Sequence, residues 1–202
     1  MTIKIHMNKI IFTLIFNLTF TQVVPSYDHN EWEILVNNDI WIGWTDYKKF
    51  DWVRSKITLN NSIDDVLSVL DDHKNYQNTF EKIIKCEVNS DNFVYIVVDL
   101  PFPFANRDYV VVYKDFFDKD HFVYQYYAQV HEDFPYQNDN IRLPNAAGEW
   151  RLIPINDNTT EVIYTWNGEF LGDFPDWALT KAWSTQGQYL LNSIKKELQK
   201  RY

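Results

Sequence analysis

Hydrophobic and polar positions alternate with period two along most of this chain, while helical spacing is confined to a few stretches. Ile40 to Lys48 reads as a strand, and Val53 to Leu59 as its hairpin partner. Three further hairpins follow. Glu81 to Val88 and Phe93 to Leu100 flank the turn cluster Asn89-Ser90-Asp91-Asn92. Arg107 to Phe117 and His121 to Val130 flank Asp118-Lys119-Asp120, and Ala147 to Pro154 and Thr160 to Asn167 flank Ile155 to Asn158. Successive hairpins predict one antiparallel sheet, interrupted by a long acidic loop from His131 to Asn140.

The helical stretches are fewer. The spacing of Trp32, Leu35 and Val36 predicts a short helix over 30–36, capped by Asn30. Ser62 is placed to cap a helix from Ile63 to Leu70, with Asp65 completing a capping box and Asp64 and Asp65 favouring its positive end. His73 to Phe80 predicts a short helical connection whose Tyr76 and Phe80 cover the end of the sheet. Pro175 to Lys200 predicts the one long helix. Pro175 suits a first turn, Asp173 is a candidate cap, and Leu179, Trp183, Gly187, Leu190, Ile194 and Leu198 form an apolar face. A long C-terminal helix on a curved antiparallel sheet is an α+β helix-grip arrangement.

The segment Pro101-Phe102-Pro103-Phe104-Ala105-Asn106-Arg107-Asp108 interrupts this regularity. Its prolines lack an N–H and fix φ, so they exclude helix and central strand. A polar corner then opens directly onto the strand that begins near Tyr109.

Composition sharpens the picture. A chain of 202 residues suggests one domain, and 17% aromatic residues can fill a core or wall an apolar cavity. The formal charge of −9 argues against nucleic acid and against tight docking on anionic lipid. The single cysteine, Cys86, excludes an intrachain disulfide, and its apolar neighbours make it a structural thiol. Lys4 and Lys9 precede or flank an apolar run, Ile10 to Phe20, that is too short for the ~20 residues of a membrane-spanning helix. It reads as a secretory signal within residues 1–25, leaving 26–202 as the domain. Cleavage between Thr21 and Tyr27 would export the protein to the periplasm or the medium.

Four motifs, in order, resemble the START (StAR-related lipid-transfer) family. Pro101-Phe102-Pro103 with Asn106-Arg107-Asp108-Tyr109-Val110 resembles its Pro-aromatic-Pro and Arg-Asp-aromatic-Val signature, with Phe102 where Trp is common. Gly148-Glu149-Trp150 through Pro154, then Thr160 to Tyr164, resembles its Gly-x-Trp stretch. Gly172-Asp173-Phe174-Pro175-Asp176-Trp177 resembles its approach to the last helix, and Asp71 with Tyr76 a segment after the second helix. Pro101, Pro103, Arg107, Asp108, Gly148, Trp150 and Pro175 thus serve as fold markers. The resemblance covers about residues 30–200. It implies a hydrophobic tunnel between sheet and long helix, holding one lipid or similar apolar molecule, in a protein that binds and transfers that ligand.

The candidate ligand contacts are Arg142, a lone cation between Ile141 and Leu143, and Trp177, Lys181, Thr185 and Tyr189 along the last helix. Whether that stripe or the Leu179/Trp183 stripe faces the cavity is open from sequence. Arg107 and Asp108 could grip a head group or satisfy backbone at the corner. No metal-ligand spacing, nucleophile elbow or phosphate loop occurs, so the reading is of a binding protein with no catalytic residue, metal or cofactor. The alternative is a cyclase or hydrolase using the same cavity, with Asp99 or Glu169 as a buried base. The expected partners are a hydrophobic small molecule and, transiently, a membrane, with the protein a monomer.

Overall fold

The computed structural model describes residues 23–202. The apolar run expected to be a secretory signal lies outside the described residues. Strands β1 (Glu33–Asn37), β2 (Trp41–Tyr47) and β3 (Phe50–Leu59) come first. Helix α1 (Ile63–Leu70), a 3-10 turn (His73–Asn75) and the short helix α2 (Tyr76–Thr79) follow. Then come β4 (Ile83–Val88), β5 (Val94–Val98), β6 (Asn106–Asp118), β7 (His121–Ala128), β8 (Asn140–Arg142), β9 (Ala147–Asn156) and β10 (Thr159–Asn167). Helix α3 (Asp176–Arg201) closes the chain.

Nine of the strands form one antiparallel path in the order β1-β2-β3-β10-β9-β7-β6-β5-β4, and β8 pairs with β6 in parallel off that path. The inner face packs on the helices through a continuous core that includes Ile42, Val53, Leu152, Val162, Trp183, Leu191 and Ile194. The expected α+β helix-grip architecture is therefore present, with α3 lying in the concavity of the sheet.

Local chemistry explains most elements. The Ser62 hydroxyl accepts from the Asp65 amide at 3.2 Å while the Asp65 carboxylate accepts from the Ser62 amide at 3.1 Å, which completes the anticipated capping box. Tyr76 and Phe80 are buried where α2 meets β4. Two expectations need correction. Residues 30–36 do not form a helix; Glu33–Asn37 is edge strand β1. A bulge between Ile34 and Val36 leaves Leu35 without a partner, so Leu35 and Val36 leave the alternating pattern and mimic helical spacing. Asp173 does not cap α3: Pro175 occupies the N-cap position with no side-chain hydrogen bond. The acidic loop expected from His131 to Asn140 ends where β8 begins, at Asn140.

The outer face of the sheet carries a feature invisible in the sequence. Arg54 on β3 is 1% exposed, donates from Nε to Thr165 Oγ1 at 2.9 Å, and reaches the carbonyls of Pro25, Ser26 and Tyr27. Its guanidinium also stacks on Trp32 at 4.5 Å. Burial lowers its pKa to about 10, and it remains a cation at neutral pH. Pro25, assigned from sequence to the leader, is itself buried and held in this clamp.

His73 sits where the helical connection meets the sheet. Its ring lies 4.8 Å from Tyr76 and 4.9 Å from Tyr113, and its Nε2 has no hydrogen-bond partner among the described residues. Burial holds its pKa below the usual histidine value, opposed by the charges of Asp71 and Asp72. The folded state therefore binds this proton less readily than the unfolded chain. The resulting stability is complete above the ordinary histidine pKa of about 6.5 and is lost as pH falls below it. Urea midpoints for the wild type should drop between pH 7.5 and 5.5 more steeply than those of His73→Gln; parallel slopes would refute this assignment.

Candidate functional site

One helix cannot fill the concavity of this sheet. On one flank α3 packs against β1, β2 and β3. On the other, a cavity of about 440 Å³ remains between α3 and strands β4 to β7, β9 and β10. Its inner wall is aromatic: Tyr109, Tyr126, Tyr164 and Trp166 project from the concave face. Its outer wall is one edge of α3, where Trp177, Ala178, Lys181, Ala182, Thr185 and Tyr189 recur at helical spacing. Pro101 and Phe104, in the loop before β6, also line the cavity.

Trp177, Lys181, Thr185 and Tyr189 all line the cavity, joined by Leu190 of the expected apolar face, while Trp183, Gly187, Leu191, Ile194 and Leu198 are buried elsewhere on the helix. Gly187 faces β2 and β3, where an added Cβ would come within 2.9 Å of Ile42 and 3.3 Å of Ser55. The hydroxyl of Tyr189 accepts from the Lys82 amide at 2.9 Å, which ties α3 to the start of β4.

Arg142 does not belong to the cavity, contrary to the sequence expectation. It pairs bidentately with Asp108, Nε to Oδ1 at 2.9 Å and Nη2 to Oδ2 at 3.1 Å. It also donates to the carbonyls of Phe134 and Pro135 and lies against the Tyr95 and Tyr136 rings. Tyr95 donates to the same carboxylate at 2.9 Å. Adjacent strand residues face opposite sides, so Asp108 points outward and Arg107 inward. The register of β8, which sets Arg142 opposite Asp108, could not be read from composition.

The Arg-Asp corner is therefore two structures, not one. Arg107 donates to the carbonyls of Ala105, Phe170 and Leu171. It thus fastens the turn before α3, where Leu171 and Gly172 both adopt positive φ (55° and 64°). Phe170 stacks on Phe174 at 4.4 Å and Phe104 meets Phe174 at 4.8 Å, building an aromatic rim beside this turn. Rim and loop end in strongly exposed side chains: Phe102 is 96% and Trp177 is 84% exposed.

Gly148 and Trp150 act at the cavity floor. A Cβ on Gly148 would lie 2.5 Å from the Thr165 carbonyl and 2.7 Å from the Tyr126 hydroxyl. Only glycine lets the Tyr126 ring lie across β9 and bond Tyr164, with hydroxyl oxygens 2.6 Å apart. Trp150 stacks on Tyr164 at 3.9 Å and holds that ring from behind.

Other candidates are less engaged. Glu169 lines the cavity and accepts from Asn145 Nδ2 at 3.0 Å, whereas Asp99 is exposed and outside the lining. Burial pushes the Cys86 thiol up to about 12, consistent with an unreactive structural role. No cluster of metal-ligating side chains is present among the described residues.

Comparison with known proteins agrees with the geometry. No family model matches the chain. An uncharacterized protein of Pseudomonas aeruginosa is 31% identical over 96 residues, a match spanning 48% of this chain and about half (47%) of that relative. Among solved structures, a STAR-related lipid transfer protein from Xanthomonas axonopodis superposes with a TM-score of 0.72 at 20% identity, covering 84% of this chain and 99% of that one. Human StAR-related lipid transfer protein 5 gives a TM-score of 0.78 at 12% identity, covering 86% and 89%. An aromatase/cyclase from Streptomyces gives 0.51 at 19% identity, covering 74% and 94%. The chain has the fold of the StAR-related lipid-transfer domains.

Separation of Arg142 from the cavity has a measurable consequence. Arg142→Ala leaves the Asp108 carboxylate buried without its cation, and should cost about 3 kcal/mol or more in a denaturant titration. Occupancy of the cavity by ligand should persist in the folded variant. Loss of ligand at unchanged stability would return Arg142 to the binding site.

Proposed function

We propose that this protein binds a lipid or similar apolar molecule in the cavity between sheet and α3 and carries it between membranes. The observation that bears most weight is the aromatic-walled cavity of about 440 Å³, whose lining includes the exposed Trp177 and the loop that carries exposed Phe102. Apolar ligands partition into such spaces because each buried methylene gains about 0.8 kcal/mol. Aromatic side chains suit the membrane interface, where the ring is half desolvated. A mouth placed there would let a ligand pass from bilayer to cavity without crossing water. The likeness in fold to two lipid-transfer proteins supports the same reading.

Export belongs to this proposal. Cleavage of the leader would fall before Pro25, because Arg54 holds the carbonyls of Pro25, Ser26 and Tyr27. The Trp177, Lys181 and Thr185 edge of α3 would contact the ligand from the solvent side and the tyrosines from within.

A second reading places chemistry in the same cavity. It is favoured by Glu169, a carboxylate in the lining held by Asn145, and by the aromatase/cyclase likeness. Under that reading Glu169→Gln would abolish turnover of a bound ligand while leaving binding intact.

Native mass spectrometry tests the first reading. The full chain incubated with a total lipid extract should acquire adducts of defined mass, and vesicles loaded with those lipids should lose them to the protein. An apo mass unchanged by any extract would contradict it.

A further inference from the structure

The inner wall of the cavity is not simply apolar. Tyr109, Tyr126 and Tyr164 all line it, on three strands of the concave face. Each phenol has one hydrogen to donate. Tyr126 and Tyr164 bond each other at 2.6 Å, which uses one of their two hydrogens and leaves the other over. The Tyr109 hydroxyl makes no hydrogen bond with a side chain or backbone group among the described residues. Two O–H donors therefore stand on the tyrosine wall of an aromatic chamber without a hydrogen-bond acceptor among the described residues. A donor that faces an apolar cavity without a partner gains from any acceptor brought into that cavity, so such a pair is a site for one. Gly148 serves the arrangement, since any side chain there would displace the Tyr126 hydroxyl.

The charges of the cavity lie elsewhere. Arg107 spends its guanidinium on three backbone carbonyls beside the α3 turn. Lys82 and Lys181 are exposed residues of the lining, with Lys82 over the Tyr189 ring of α3, and Glu169 is bonded to Asn145. Burial raises the pKa of all three tyrosines, so they stay neutral donors. The tyrosine wall itself offers an ionised head group no cation, whereas a carbonyl or hydroxyl oxygen there would be satisfied.

We propose that Tyr109 and the Tyr126–Tyr164 pair form a recognition site for a neutral oxygen, carbonyl or hydroxyl, at one end of an apolar ligand. This rests on the cavity-binding reading above and specifies the ligand class it accepts. The ligand enters oxygen first, the two free hydroxyl hydrogens donate to that oxygen, and the apolar skeleton lies against Trp166 and the α3 edge.

Three pyrene derivatives of matched size test it by fluorescence titration of the full chain: 1-pyrenemethanol, 1-methylpyrene and 1-pyrenecarboxylate. The alcohol should bind about tenfold more tightly than the methyl compound, as one or two neutral hydrogen bonds provide. The preference should shrink to about threefold or less in Tyr109→Phe and in the double variant Tyr126→Phe/Tyr164→Phe, while 1-methylpyrene binding, a check that each variant is folded, stays unchanged. Equal binding of alcohol and methyl compound by the wild type overturns this proposal alone, and so does a preference surviving in both variants. Tightest binding of the carboxylate overturns it in favour of a cationic subsite. Failure of all three to bind overturns the cavity reading and this proposal with it.

Discussion

A curved sheet and a single helix do not match in width, and this mismatch governs the molecule. Nine strands spaced about 4.8 Å apart span nearly 40 Å, while a helix with its side chains is only about 10–12 Å across. The sheet must bend around α3, and α1 and α2 cover part of what remains. The helix commits its small and apolar stripe, Trp183, Gly187, Leu191 and Ile194, to the core. Its other edge then faces a space that no element fills. The cavity is a consequence of the architecture, and the side chains around it decide what that space can hold.

Those side chains are set by strand parity and by absent atoms. Arg107 and Asp108 are neighbours in sequence yet serve opposite faces, one fastening the turn before α3, the other receiving Arg142 beneath the loop after β7. Gly148 matters through the Cβ it lacks, because Tyr126 crosses β9 in the space left over. The aromatic load noted in the composition is thus divided. Tyr95 and Phe134 stack outside the sheet, Trp150 supports Tyr164 from within it, and Trp177 and Phe102 are strongly exposed.

Much of this was legible in the sequence where interactions are local. The α1 capping box lies within four residues, and hairpin turns join adjacent strands, so pattern alone located them. Glycine and proline markers pointed to the right places without revealing their roles. Long-range effects were not legible. Arg54 meets Thr165 across 111 residues, and nothing in its own segment marks it as buried. Arg142 was misplaced because a three-residue parallel strand leaves no periodic trace. The helix expected at 30–36 failed because one bulged residue, Leu35, is enough to turn an alternating pattern into an apparently helical one. On α3 the sequence contained both stripes but not the sheet that distinguishes them.

The central claim is that the space between α3 and the tyrosine wall is the ligand site. It is tested most directly by filling that space from the helix. Ala182 lines the cavity and carries no structural hydrogen bond through its side chain. The decisive measurement is native mass spectrometry of Ala182→Trp after exposure to a lipid extract, alongside its unfolding midpoint. The account predicts a folded protein, with a midpoint at or near that of the wild type, that has lost its lipid adducts. A folded variant retaining full lipid occupancy would contradict it.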